Sequence, residues 1–530
     1  MSESRRAAAR IAANYVRLIA GVALGLALVR LQLRTLGGEV VGLIALLVST
    51  IGLASVIEEA IENSMVRELG TAHHSGDRAR FAVVYNSALA VSTLAAGCVA
   101  LVYTIILLVL PLLDVPLELL SAARWFIVAK MLESAIIVAL APANNMYLAT
   151  ERMIGFNGWL VARRASAVVA IVLTLLSKPE SPAQGLILYG WLSVGLHALV
   201  IVAAVGSLAW RDRRLIPRPS CTDRGTMRTI ARTSSANASM FIAGLLELPA
   251  GALIMNLAFG LHGNLIFGLG AQAAGYVRMV AAGPITGIDA VATRLSTAAD
   301  PAQRLRALVY HTTRLQTFVV IPSAVAMFIL APTFMRVWVG GTGVSDQVIG
   351  DAVTLSRIMI LGFVAKCMLD VWWRLLYGAG HVRPYVRLVV TAAISTPILG
   401  LLLLWLLPAS IRYWAPALAF AVAHATAHLG VLPHIITARF QMPYRSLIAA
   451  MARPLIPAAG AGAAMVLVES LFDAPTITSI IAQALAFGVV YLLVGSVVAF
   501  EQGDRARVFA IVRHARNMVL GAGGDASGAR

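Results

Sequence analysis

Seven ionisable residues set within long apolar stretches of this sequence could do chemistry: Arg17, Lys130, Glu133, Glu247, Arg278, Lys366 and Asp370. A charge at membrane depth is costly, which makes it a functional candidate by default. The cations Arg278, Lys130, Lys366 and Arg17 suit an anion such as a phosphate, and arginine adds a planar fork that grips it at two points. The acids Asp370, Glu133 and Glu247 could hold a proton or pair with a cation. Spacing offers a second reading. Lys130 and Glu133 are three residues apart, and Lys366, Asp370 and Arg374 stand at i, i+4 and i+8, so each acid can neutralise a cation on its own helix. Arg278 and Glu247 could satisfy each other in the same way. Lysine supplies only three of the 42 basic residues, two of them Lys130 and Lys366. Lysine changes its pKa more readily than arginine when buried, so either could release an anion on losing charge.

Other polar residues carry less. Glu58, Glu59 and Glu62 form an acidic turn roughly 30 Å along their stretch, where interfacial water solvates them. Arg163 and Arg164 are read as interfacial, near the cytoplasmic end of theirs. His197, His424 and His428 are read as packed or hydrogen-bonding, and Pro249 and Gly283-Pro284 with Gly287 as bends or hinges. Cys98, Cys221 and Cys367 have no CxxC or Cys/His spacing, so neither a disulfide framework nor a metal site is expected. There is no P-loop, no G-x-G-x-x-G after a strand, no G-x-S-x-G and no H-E-x-x-H, so neither a cofactor nor an enzymatic reaction is expected.

The elements that must position these residues follow from composition. Of 530 residues 59% are apolar and 13% charged, with a mean hydropathy of +0.83; a soluble protein carries about 25% charged residues. Fourteen stretches are long enough to span a bilayer: 9–34, 38–66, 82–110, 119–149, 155–177, 186–210, 234–260, 264–292, 313–336, 351–377, 384–407, 413–437, 447–471 and 476–500. Alternate connections hold 29 Lys+Arg against 4 in the opposite set, which places both termini in the cytoplasm and explains the net charge of +17 without nucleic acid. The first stretch is too long for a signal peptide.

The sequence also repeats. Thr71-Ala72 followed by Arg78-Ala-Arg80 is matched by Thr297-Ala298 followed by Arg304-Leu-Arg306, an offset of 297 − 71 = 226 residues. That shift equals six spans, so the halves run in parallel. The expectation is an all-α polytopic membrane protein: an N-lobe at 1–210, a basic linker at 211–233, a C-lobe at 234–437, two further helices at 438–500 and a cytoplasmic tail at 501–530. The arginines of the linker suit the anionic inner leaflet.

Asn14 to Arg34 ending in Leu36-Gly37-Gly38-Glu39-x-x-Gly42, then Asn63-Ser64 to Arg67, Gly76-Asp77 and Tyr85-Asn86-Ser87, resemble the N-terminal half of polysaccharide biosynthesis flippases. These are the O-antigen type of the multidrug/oligosaccharidyl-lipid/polysaccharide (MOP) exporter superfamily. The resemblance implies two six-helix bundles around a central cavity and a lipid-linked glycan moved from the inner to the outer leaflet of a bacterial inner membrane. It also implies coupling to H+ or Na+ and a link to glycan polymerase or export machinery. The uncharged run Val22 to Val29 departs from the lipid II branch, which carries arginines there. A multidrug or metabolite exporter of the same fold is one alternative. A glycan polymerase or ligase is another, but it would need a sizeable extracytoplasmic loop, and the longest such loop here is about Gly340 to Asp351.

Overall fold

In a computed structural model the described residues are 3–150, 152–245, 247–282, 288–296 and 300–499. Gly283-Pro284, Gly287, the tail 501–530 and the side chains of Glu59, Glu62, Asn63, Ser64 and Arg67 lie outside them. The chain is helical throughout its described length: α1 (Glu3–His74), α2 (Arg78–Val109), α3 (Leu117–Ala149), α4 (Met153–Leu176), α5 (Pro182–Arg211), α6 (Arg224–Leu245), α7 (Leu248–Ala281), α8 (Ile288–Ser296), α9 (Pro301–Val339), α10 (Asp346–Met368), α11 (Asp370–Gly378), α12 (Val382–Leu406), α13 (Ala415–His424), α14 (Leu432–Phe440), α15 (Tyr444–Ala452), α16 (Leu455–Glu469) and α17 (Ile477–Val498).

Helices dominate because lipid offers no partner for a backbone N–H or C=O, so each must be satisfied within its own segment. Where the chain turns, small polar residues take over. Asp77 accepts from the N–H groups of Ala79 and Arg80 at 2.9 and 3.0 Å to start α2, Ser181 accepts from Gln184 to start α5, and Thr476 with Ser479 forms a capping box at α17.

Twelve continuous stretches among the described residues are long and apolar enough to cross a membrane. Two of them, Val16–Gly52 and Leu248–Ala281, are broken by one left-handed glycine each, Gly37 (φ 80°) and Gly260 (φ 62°). Twelve stretches with two such breaks are approximately consistent with the fourteen expected. Both glycines are turns: Gly38, Asp114, Gly260 and Gly343, from four separate connections, line one cavity. The boundaries move by more than the count. The predicted loop 67–81 shrinks to a turn at 75–77, because helices run past the apolar core on both sides.

The described residues fall into two compact units. The first comprises Met1–Met279, Trp338–Gly362 and Arg383–Ala427. Its core runs through Leu43, Leu46, Phe81, Tyr103, Phe126 and Ile127, all at most 1% exposed. Small residues let its helices approach closely, as expected where apolar burial alone cannot drive association: a β-carbon on Gly42 would collide with the Leu261 carbonyl, and one on Gly362 with the Phe420 ring. The second unit comprises Val280–Val337, Phe363–Val382 and His428–Arg530. In it α8 packs on α11 and α16 on α17, and Trp372, fully buried, donates to Thr313 Oγ1 at 2.6 Å. Leu94, Leu101 and Leu108 on α2 and Leu485, Val489 and Leu492 on α17 are exposed, an apolar surface that suits lipid.

Candidate functional site

Lys130 and Glu133 on α3 do pair within one helix, Nζ to Oε2 at 2.7 Å. The pair is also the centre of a network that spacing along the chain cannot reveal. From α5, Ser193 Oγ accepts from Lys130 at 3.1 Å and His197 Nδ1 lies 3.1 Å from Glu133 Oε1. The Lys130 ammonium stands 5.6 Å over the Phe126 ring, which stacks on Tyr189, itself hydrogen-bonded by Gln32 of α1. The Lys130, Glu133 and His197 side chains are 18, 11 and 8% exposed. Taking such charges from water costs several kcal/mol per ion unless each is paired and hydrogen-bonded, and here three helices supply the partners.

Glu247, expected to face Arg278, lies instead against His424, Oε1 to Nε2 at 3.6 Å, with both side chains almost wholly buried. Immediately after His424 the helix widens into a π-helical stretch, Ala425–Val431, a local unwinding common at functional positions. Arg278 is not at mid-helix. Gly260 opens the second leg of α7 and Ala281 closes it, so Arg278 sits in its last turn, exposed; Gly283-Pro284 just beyond explains why the helix does not run on to 292 as predicted.

In the second unit Lys366, Asp370 and Arg374 do not share one continuous helix. Leu369 (φ −113°, ψ 5°) separates α10 from α11, so a one-residue break falls between Lys366 and Asp370. The cause is Gln316 of α9, whose Nε2 donates to the Cys367 carbonyl at 2.7 Å and to the Ala281 carbonyl at 3.0 Å. An inserted side chain of this kind takes the ladder's acceptor and breaks the helix. Arg374 turns its guanidinium over the Trp373 ring at 4.9 Å. Arg314, at the edge of the predicted span 313–336, is buried on α9 over the Tyr310 ring at 5.7 Å.

The largest departure concerns Arg163 and Arg164. They are not interfacial: Arg164 is 164 − 153 = 11 residues from the start of α4 and 176 − 164 = 12 from its end. The Arg164 guanidinium lies where a β-carbon on Gly21 of α1 would stand. One turn further along α1, Gly25 faces the Gln272 amide and Tyr276 hydroxyl of α7, which are hydrogen-bonded at 3.2 Å. Arg17, one turn the other way, shares this face by register. No carboxylate is paired with Arg164 among the described residues. The cation that Val22 to Val29 lacks is thus delivered to α1 by α4, a relationship only tertiary packing creates.

At the Gly37 and Gly260 end of the same unit a cavity of about 800 Å³ is lined by Glu39, Asp114, Phe259, His262 and Ser345. Phe259 stacks on Tyr413 at 4.0 Å, and the Asn256 amide, held by Asn264, donates to the Leu113 carbonyl beneath it. No group of metal-ligating residues occurs among the described residues.

No family description matches the sequence, and no curated protein does. Solved structures do. The lipid II flippase MurJ in an inward closed conformation superposes with a TM-score of 0.66 over 92% of this chain and 97% of its own, at 12% identity. An inward-facing multidrug resistance MATE transporter gives 0.61 over 81% and 95%, at 16% identity. A MOP-superfamily transporter from Pyrococcus furiosus gives 0.54 over 82% and 96%, at 15% identity. The chain therefore has the multi-pass, all-helical fold of the MOP-superfamily transporters.

Proposed function

We propose that this protein is a flippase that carries a lipid-linked oligosaccharide, joined through a pyrophosphate, from the cytoplasmic to the outer leaflet of a bacterial inner membrane. The observation that carries the reading is Arg164: an exposed guanidinium halfway along a membrane-spanning helix, laid across a glycine. Such a group is too costly to face hydrocarbon, so it borders a hydrated path. A cation there attracts a passing anion, and the adjacent Gln272 and Tyr276 offer donors and acceptors to sugar hydroxyls. Arg17, Arg278, Lys130 and Lys366 are further proposed contacts along that path. A cationic drug would be repelled by the same charges, which favours the flippase over a multidrug exporter. Because Arg164 supplies what α1 lacks, the uncharged Val22 to Val29 run does not argue against lipid II, which belongs to the same chemical class of substrate.

Transport proceeds by alternating access of lobes 1–210 and 234–437, with both termini cytoplasmic. Glu133, within reach of Lys130 and His197, is the proposed carrier of coupling charge, with Glu247 and Asp370 as further carriers. The acidic, aromatic-lined cavity beside Gly37 receives the glycan on the outer side. It repels the pyrophosphate and lets the sugars leave first.

Deleting the gene and locating the undecaprenyl-linked intermediate with a membrane-impermeant probe tests the reading. Complete single repeat units trapped on the cytoplasmic face are expected. Units on the outer face would assign the protein to polymerisation or ligation instead, and no accumulation would leave the small-molecule exporter.

A further inference from the structure

A second cavity, this one cationic, lies at the opposite end of the first unit. It measures about 260 Å³ and is lined by His73, Thr150, Arg152, Arg211, Asp212 and Arg214. Leu117 of α3 borders the Gly37 cavity and Met146 borders this one; 146 − 117 = 29 residues separate them, or ~44 Å of helix. This is the face the arginine bias assigns to the cytoplasm.

The cavity is built, not incidental. Asp212 takes Arg214 in a two-point fork, Nε to Oδ1 at 2.8 Å and Nη2 to Oδ2 at 2.7 Å, and the same guanidinium stands 5.7 Å from the Phe81 ring centre. His73 packs edge-on against Phe81, and its Nδ1 is buried with no hydrogen-bond partner among the described residues. The linker that carries Arg211 to Arg214 is pinned to α2 by three consecutive side chains. Tyr85 donates to the Leu215 carbonyl at 3.0 Å, Asn86 Oδ1 accepts from the Arg218 N–H at 2.5 Å, and Ser87 Oγ accepts from the Asp223 N–H at 3.0 Å. Asp212 is the one carboxylate lining the cavity among the described residues, and Arg214 occupies it. Arg152 and Arg211 have no carboxylate paired with them among those residues. Among the described residues the lining thus sets three guanidiniums against one carboxylate.

We propose that this cavity binds a phosphate-bearing anion at the cytoplasmic face, gripped by Arg152 and Arg211 with Arg214 as a fixed third contact. Two sources share that chemistry: the headgroup of an anionic inner-leaflet lipid, or a pyrophosphate group presented from the cytoplasm. The site is separate from Arg164 and does not depend on the transport reading.

The test is titration of the full-length protein in detergent with inorganic pyrophosphate and, separately, with short-chain phosphatidylglycerol. The proteins compared are the wild type, Arg152→Gln/Arg211→Gln, Arg164→Gln and Arg213→Gln, the last removing one neighbouring charge outside the cavity. Saturable binding weakened tenfold or more in the double variant, unchanged in the other two and falling with salt, is expected. Binding of phosphatidylglycerol would identify the lipid as occupant, and binding of pyrophosphate alone the soluble group. Undiminished binding by a double variant that melts like the wild type, or no saturable binding to the wild type, would overturn the proposal. If the double variant melts early, Arg152→Lys/Arg211→Lys keeps both charges: restored folding with binding still weakened at least threefold supports the grip, and full binding by a folded Arg152→Gln single variant refutes it.

Discussion

Arg164 of α4 and Gly21 of α1 occupy one another's space: the guanidinium fills the volume a side chain on Gly21 would need. Gly21→Ala should therefore push Arg164 off the face of α1 and cut glycan export at least tenfold while the protein still inserts. Gly97→Ala, where a β-carbon meets nothing, should export normally. Equal export by both variants, measured as surface glycan in the complemented deletion strain, would remove Arg164 from the path.

Arg278→Ala should also abolish export at normal expression. Arg278 sits in the last turn of α7, so its loss should not disturb helix packing. Normal glycan at the surface of a strain expressing this variant would sink its proposed contact with the substrate.

Breaking the Lys130–Glu133 pair tests a different quantity. Lys130→Ala leaves a carboxylate buried beside a histidine and should cost about 3–5 kcal/mol of stability, read as a lowered melting temperature in detergent. Lys130→Met/Glu133→Gln removes both charges and should recover most of that loss. If Glu133 carries coupling charge, the double variant stays inactive although it is stable; recovery of transport with stability would reduce the pair to a structural one.

The clamp on the linker predicts a graded loss. Tyr85→Phe deletes only the hydroxyl that donates to Leu215 and should cost about 1 kcal/mol. Asn86→Ala strands the Arg218 N–H and should cost more. Limited proteolysis between residues 212 and 223 should rise in the same order, and an unchanged cleavage rate in both variants would mean the linker is held by other contacts.

Two groups at this end give a pH dependence of known sign. Burial, with Arg214 nearby, lowers the His73 pKa from its usual 6.5, so the unfolded chain binds the proton more readily. Stability is then full above about pH 6.5 and declines as pH falls through the folded value. The Arg214 hydrogen bond likewise holds Asp212 below its usual 3.8, adding a second loss on acidification below about pH 4. Melting curves from pH 8 to 2 should show both, and His73→Gln should flatten the upper one; an unaltered profile in that variant would assign the slope to another group.

How much of this was legible without coordinates depends on the range of the interaction. Lys130 with Glu133 was visible because three residues of helix bring them together. His197 was not visible as their partner, because 64 residues and the packing of α3 on α5 intervene, and nothing along either helix encodes that neighbour. The break between Lys366 and Asp370 was not visible, because Gln316, which takes the Cys367 carbonyl, lies on another helix. The predicted span 155–177 matches α4 to within two residues, so the place of Arg163 and Arg164 along the helix was legible; what was not is the contact of Arg164 with Gly21, which only the packing of α4 on α1 creates. Tyr85-Asn86-Ser87 was recognisable as a pattern, but its work of fastening the linker appears only once residues 215, 218 and 223 are seen beside it.

The turn at Gly37 is a single non-helical residue. A β-carbon at position 37 would meet nothing within 4 Å, so a substitution there costs no contact and acts through the backbone alone: any residue that resists positive φ strains the break between the two legs of α1.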